Sequence, residues 1–240
     1  MKYIILVLRG HIRDSFDDNL LAFFVKTLCS IYNVKIYIHT WKVYSTNLSW
    51  RNNVEVNNNE VLEEDILDYF EGVKENIVSI TIEDDKKIEL IGNLEGKLFS
   101  SGIPALAWKR MWYGIYKTVE KIELNESIDD VIINTRFDLF NNSYPINYSK
   151  ILLFIKDNLG RKMNQNFFYA AQYGLTGSDN FYMGNHNTMK LLASEFYYNL
   201  DELNKAYIDV ISQEHTVIYE NNRLFLFKKK LVSFLNDESI

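Results

Sequence analysis

The feature that most constrains the fold is a strand–helix–strand pattern in the first 40 residues. Tyr3 to Leu8 is a continuous apolar run, which is typical of a strand buried on both faces. Apolar residues then recur at intervals of three and four from Leu20 to Ile31, which predicts an amphipathic helix. Val34 to His39 alternates apolar and polar residues, as a second strand does. This short unit predicts a parallel βαβ crossover, and therefore an α/β fold.

The rest of the chain continues to alternate between predicted helices and strands. We predict helices at 60–70, 104–122, 188–197 and 201–211, the third of them capped by Asn187 or Thr188. Strands are predicted at 77–82, 131–133, 151–155 and 224–227, and a terminal helix at 228–235. We therefore expect one α/β domain over residues 1–240, with a mostly parallel central sheet flanked by helices and a helical C-terminal third.

The composition excludes several classes of protein. The net charge is −6, from 26 basic and 32 acidic residues, which argues against a nucleic-acid-binding protein. The single cysteine, Cys29, excludes an intrachain disulfide and a cysteine-rich zinc site. The apolar run at the N-terminus is too short for a signal peptide or a membrane span, and no later run is longer. We therefore expect a cytoplasmic protein that makes at most peripheral contact with a membrane.

Four common catalytic motifs are absent from the chain. It contains no GxGxxG after the first strand, no GxxxxGK[ST], no GxSxG and no HExxH. These absences disfavour a dehydrogenase, a P-loop kinase, an α/β-hydrolase and a zinc protease.

Polar residues follow three predicted strands, at 9–11, 39–41 and 136–138. Parallel sheets bind ligands beyond the carboxyl ends of their strands, so we expect Arg9, His39 and Arg136 to lie close together at a ligand site. Asp138 offers the oxygen ligand that Mg²⁺ or Mn²⁺ prefers, and Arg136 offers a contact to phosphate or ribose. The structural alternatives are that each arginine pairs with an acid, that Arg136 and Asp138 form a local ion pair, and that His39 is simply hydrogen-bonded.

Five segments carry a resemblance to a known family. They are Leu8–Arg13, Tyr37–Trp41, Trp108–Gly114, Ile132–Asp138 and Gly177–Gly184. Together they resemble bacterial surface-polysaccharide glycosyltransferases of the GT-A type, from capsule or lipopolysaccharide clusters, over most of the chain to about residue 223. The resemblance implies sugar transfer from a nucleotide-diphosphate donor to a glycan or glycolipid acceptor. It also implies a nucleotide-binding half at about 1–140 and an acceptor-side half at about 141–240.

The same resemblance assigns roles to the residues at the strand ends. GT-A enzymes carry an Asp-x-Asp motif that holds a metal ion against the donor diphosphate, and the matching stretch here is Arg136-Phe137-Asp138. Asp138 would inherit a metal or ribose role, and Arg9, Gly10 and Arg13 would contact the nucleotide. The arginine in place of the first aspartate leaves metal dependence open, because a guanidinium can neutralise part of the phosphate charge.

Two carboxylates are candidates for the general base. Asp179 lies between two glycines and would bind sugar hydroxyls or remove a proton, unless it only forms an Asx turn. Glu214 follows a predicted helix and would deprotonate the acceptor hydroxyl, unless it is a solvated helix end. The sequence does not choose between them. Trp41 and Trp50, in a polar segment, are candidate residues for stacking on a sugar.

Two other functions fit the same residues. One is transfer of a different group from a nucleotide-activated donor. The other is a nucleotide- or glycan-binding module without catalysis, since the Asp-x-Asp pattern is incomplete. The donor sugar, the acceptor, the stereochemistry and the oligomeric state stay open.

Overall fold

The fold is built from a sheet with helices on both faces. The computed structural model describes residues 3–48, 55–98, 102–122, 130–141, 146–161, 164–169, 178–210 and 213–222. The strands are β1 (Ile4–Arg9), β2 (Val34–Trp41), β3 (Ile77–Glu83), β4 (Val131–Arg136), β5 (Phe167–Phe168) and β6 (Phe181–Gly184). The helices are α1 (Leu20–Ile31), α2 (Glu63–Tyr69), α3 (Ala105–Lys121), α4 (Tyr148–Leu159), α5 (His186–Tyr198), α6 (Leu200–Ala206) and α7 (213–222).

The strands form one mixed, mostly parallel sheet in the order β3-β2-β1-β4-β6-β5. Strands β1 to β4 are mutually parallel, whereas β6 runs antiparallel to β4 and β5 runs antiparallel to β6. The predicted α/β class with a mostly parallel sheet is confirmed. The chain builds outward from β1 through β2 and β3, and it then continues on the other side of β1 with β4. The carboxyl ends of β1 and β4 therefore flank the switch point of the sheet, where ligands of such folds bind.

Both faces of the sheet are buried, which explains the continuous apolar run of β1. Ile4, Leu6 and Leu8 pack into a core shared with α1 and α4. Ile5 and Val7 face the other way, into a core shared with α3, α5 and α7. A strand covered on both sides needs no polar alternation, so its sequence is apolar throughout.

Two local predictions are wrong. Ile151 to Ile155 is not a strand but the centre of α4, whose first turn is capped by the Asn147 side chain accepting from the Lys150 amide at 3.1 Å. Ile151 and Ile155 are buried and Leu153 is 57% exposed, so burial along the run follows the spacing of a helix face and not the alternation of a strand. The following helix, α5, is capped by Asn185 rather than by residue 187 or 188.

The C-terminal third is less uniformly helical than predicted. It contains α5, α6 and α7, but it also supplies the antiparallel strands β5 and β6. The strand predicted at 224–227 and the helix predicted at 228–235 lie outside the described residues. Among the helices that are described, none is both long enough and apolar enough to cross a membrane.

Candidate functional site

The three predicted strand ends lie side by side. In the sheet register, Arg9 at the end of β1 is paired with His39 on β2 and with Arg136 on β4. All three residues therefore reach the same carboxyl edge, at the switch point between β1 and β4. The convergence predicted from the sequence is present.

A cleft lies at this edge, and its volume of about 950 Å³ includes space that is open to solvent. Both halves of the chain contribute to it. The eight residues predicted to bind the donor or to act as the base all line it: Arg9, Gly10, Arg13, His39, Arg136, Asp138, Asp179 and Glu214.

Asp138 is held by two arginines. It lies in a short 3₁₀ turn directly after β4, and its side chain is 2% exposed. Arg136 donates to both carboxylate oxygens at 2.7 Å, from Nε to Oδ1 and from Nη2 to Oδ2. Arg13 adds a third bond at 2.8 Å, from Nη1 to Oδ2. The ion pair between Arg136 and Asp138, which was the structural alternative to a ligand-binding role, is therefore present. The guanidinium of Arg13 also binds the same carboxylate.

The loop after β1 turns sharply to bring Arg13 to this position. Gly10 has φ 95°, which favours glycine. Arg13 itself has φ 57°, an uncommon conformation for a residue with a side chain, and its amide donates to the Tyr44 carbonyl at 2.8 Å. Strained backbone of this kind concentrates at binding sites, where the surrounding structure holds it in place.

Arg9 forms the floor of the cleft. Its side chain is 3% exposed; Nε donates to Asn134 Oδ1 at 3.1 Å, and Nη2 donates to the backbone carbonyl of Asp179. The Asp179 carboxylate lies 3.5 Å from Arg9 Nη2 and 3.9 Å from Arg136 Nη1. Burial lowers the pKa of Arg9, although an arginine remains charged. Burial also opposes the charge of Arg136, but Asp138 and Asp179 raise the pKa of Arg136 above its ordinary value.

His39 forms a hydrogen bond within the protein, which was the structural alternative to a ligand-binding role for this residue. Its buried ring donates from Nε2 to Glu83 Oε2 at 2.8 Å, and Tyr113 donates to the other oxygen of Glu83 at 3.0 Å. The bond from His39 holds the pKa of Glu83 below its usual value. Helix α3 passes close to this ring at Gly114, where a Cβ would lie 2.8 Å from His39 Nδ1. These contacts hold the His39 ring in place where it lines the cleft.

The sequence assigned no role to two further cleft residues. His11 has a buried Nε2 without a partner among the residues described, and burial together with Arg13 and Arg110 lowers the pKa of His11 to about 3. Arg110 reaches the cleft from α3 and pairs with Asp85 at 2.6 Å. Both belong to segments that carry the family resemblance. For Arg110 that membership was the available signal, whereas His11 also belongs to the polar stretch 9–11 that follows the first strand.

Trp41 differs from its predicted exposure. It is the last residue of β2 and is only 3% exposed, because it packs against the rings of His39 and Tyr113. It still lines the cleft, so a ligand would contact it as part of the wall. Trp50 lies outside the described residues.

The two candidate bases have different surroundings. The Asp179 carboxylate lies beside two guanidinium groups, which hold it as an ionic partner. Glu214, on α7, is 13% exposed, and its Oε2 is buried without a partner in the described part of the chain. The Nε2 atom of His215 lies 3.9 Å from its Oε1. Glu214 is therefore the candidate base with a carboxylate oxygen that has no hydrogen-bond partner among the described residues.

The arrangement does not fit a divalent cation. The described residues contain no group of three or more His, Cys, Asp or Glu side chains placed to hold a metal ion. Asp138, the predicted ligand, has both oxygens bound by arginines. Even a Mg²⁺ ion held mainly by phosphates and water needs a free carboxylate oxygen on the protein, whereas paired guanidinium groups bind phosphate directly. The metal role predicted for Asp138 would require Arg13 and Arg136 to move away.

Comparisons with known proteins give no guide to this site. No protein-family model matches the chain, and the comparison with curated proteins gives no significant match. The functional proposal therefore rests on the geometry of the cleft.

Proposed function

We propose that the protein is a GT-A-like glycosyltransferase. It moves a sugar from a nucleotide-diphosphate donor to a polysaccharide or lipopolysaccharide acceptor of the bacterial cell surface. The observation that carries the proposal is the convergence of Arg9, Arg13 and Arg136 on one cleft at the switch point of the sheet. Folds of this kind bind nucleotides at that position, and arginines there match the charge of a diphosphate.

The arginines supply the charge that the reaction needs. When a sugar leaves its nucleotide, negative charge accumulates on the departing diphosphate, and positioned donors that stabilise this charge accelerate the step. The side chains of Arg13 and Arg136 are 16% and 17% exposed, so they reach the cleft while remaining mostly desolvated. Arg9 lies behind them and adds to the positive potential at the floor.

Glu214 is the better placed candidate for the general base. In an inverting transfer, the acceptor oxygen forms a bond to the anomeric carbon as the bond to the diphosphate breaks, and the hydroxyl proton passes to a carboxylate. Glu214 lines the cleft, and its buried Oε2 has no partner among the described residues. Asp179, held between Arg9 and Arg136, is suited to orienting sugar hydroxyls.

This activity fits a cytoplasmic protein. Nucleotide sugars are the donors, and a glycolipid acceptor would bring the protein into peripheral contact with the cytoplasmic face of the inner membrane.

The test is a binding screen followed by product analysis. UDP-, GDP-, ADP- and CDP-sugars are titrated by calorimetry, and those that bind are incubated with a panel of glycan and glycolipid acceptors. We expect a product heavier by one sugar unit. We also expect donor affinity to fall at least tenfold in Arg136→Gln and to be unchanged in Arg161→Gln, an exposed arginine that does not line the cleft.

Each other outcome selects a different function. Transfer of a group other than a sugar would identify the alternative transferase. Binding of a sugar nucleotide without transfer to any acceptor would favour the non-catalytic module. If no nucleotide binds and Arg136→Gln changes nothing, the donor site is not in this cleft and the proposal fails.

A further inference from the structure

We propose that the donor diphosphate is bound in this cleft by arginine side chains without a divalent cation, and that Asp138 serves as the counter-ion of those arginines. This inference rests on the proposed function and specifies the charge chemistry of its donor site.

The first argument is the occupancy of the Asp138 carboxylate. Three bonds of 2.7–2.8 Å from Arg13 and Arg136 occupy three of the about four acceptor sites on its two oxygens, so both oxygens are already bound by guanidinium groups. A metal ion bonded to either oxygen at about 2.1 Å would lie within about 5 Å of a guanidinium nitrogen. Like charges at that distance in a desolvated site repel strongly, so a cation and these arginines exclude one another.

The second argument is the charge of the cluster. Arg9, Arg13 and Arg136 share the carboxylates of Asp138 and Asp179, and these five described side chains together carry one net positive charge. Burial keeps this charge poorly screened by water. A positive cluster of this kind attracts an anion directly and needs no cation to bridge it.

The third argument is the geometry of the arginine pair. Arg136 holds the carboxylate with two parallel bonds and Arg13 approaches the second oxygen, which is the way guanidinium groups also hold phosphate. The left-handed backbone of Arg13 fixes one side of the pair, and the end of β4 fixes the other. The pair is therefore organised before a ligand arrives, which lowers the cost of binding.

The experiment measures nucleotide binding with and without metal. UDP, GDP, ADP and CDP are titrated into the protein by calorimetry in EDTA and again in Mn²⁺ or Mg²⁺. For the nucleotide that binds, we expect dissociation constants in the two buffers to agree within threefold. In EDTA, Arg13→Gln and Arg136→Gln each weaken binding at least tenfold, while Arg161→Gln does not.

Two controls support the interpretation of these variants. Circular dichroism verifies that each variant is folded. Arg136→Lys keeps the positive charge but loses the paired hydrogen bonds, so it should still weaken nucleotide binding measurably. Binding that requires Mn²⁺ or Mg²⁺ and disappears in EDTA would overturn this inference, yet it would leave sugar transfer intact. Absence of nucleotide binding in both buffers would overturn the inference and the proposed function together.

Discussion

Replacing Asp138 with asparagine tests the central ion cluster directly. The substitution keeps the shape of the side chain but removes the charge that Arg13 and Arg136 share, and it turns an NH₂ group toward one of them. Breaking a fully buried ion pair costs about 3–5 kcal/mol. Both arginines retain some contact with water, since their side chains are 16% and 17% exposed. We therefore expect a loss of about 2–4 kcal/mol in the free energy of unfolding.

Urea denaturation followed by circular dichroism measures this loss. The matched control is Glu60→Gln, which breaks an exposed pair with Lys42 at 3.3 Å and should cost less than about 1 kcal/mol. Inorganic pyrophosphate should stabilise Asp138→Asn more than it stabilises the wild type, because it can replace the lost counter-ion between the arginines. If Asp138→Asn is as stable as the control variant, or if pyrophosphate has no selective effect, the charge cluster does not hold this edge of the sheet as argued.

Three further outcomes follow from the same geometry. Glu214→Gln should lower the transfer rate at least a hundredfold while donor affinity stays within threefold; a normal rate would exclude Glu214 as the base. The folded protein keeps His11 neutral down to about pH 3, whereas the unfolded chain takes up that proton near pH 6.5. The free energy of unfolding should therefore decrease as the pH is lowered between these values. Urea titrations at pH 7.5 and pH 5.0 should show a smaller decrease for His11→Gln than for the wild type. Equal decreases in the two proteins would refute this role of His11. Gly114→Ala should destabilise the protein by about 1–3 kcal/mol, because the new Cβ meets the ring of His39 at 2.8 Å; a raised urea midpoint would show that the ring moves aside freely.

The sequence predicts the parallel part of the fold well because its signals are local. The apolar run of β1, the amphipathic repeat of α1 and the alternation of β2 each identify an element. The rule that parallel strands share one carboxyl edge then places Arg9, His39 and Arg136 together without any tertiary information.

The remaining errors have identifiable physical causes. The run at 151–155 is apolar at every position, so its sequence alone does not distinguish a strand from a helix. The Asn147 side chain that caps the first turn identifies it as a helix. Strand β6 has only four residues, too few for a pattern. The positive φ of Arg13 is set by the loop around it, and no glycine marks the position. The different surroundings of Asp179 and Glu214 depend on how α7 packs, which a linear pattern does not encode.

Arg136 stands where the resembled family has an acid, and this difference changes the charge balance of the proposed donor site. In the resembled family, two carboxylates and a divalent cation sum to no formal charge beside the diphosphate. Here Arg136 and Asp138 also sum to no formal charge, and Arg13 from the loop after β1 adds one positive charge. The arginines therefore supply at least as much positive charge as the metal-bound motif, and they supply it through covalently fixed groups. On this argument the incomplete Asp-x-Asp pattern is compatible with catalysis, because the substitution that removes a metal ligand also provides the charge that the metal would have contributed.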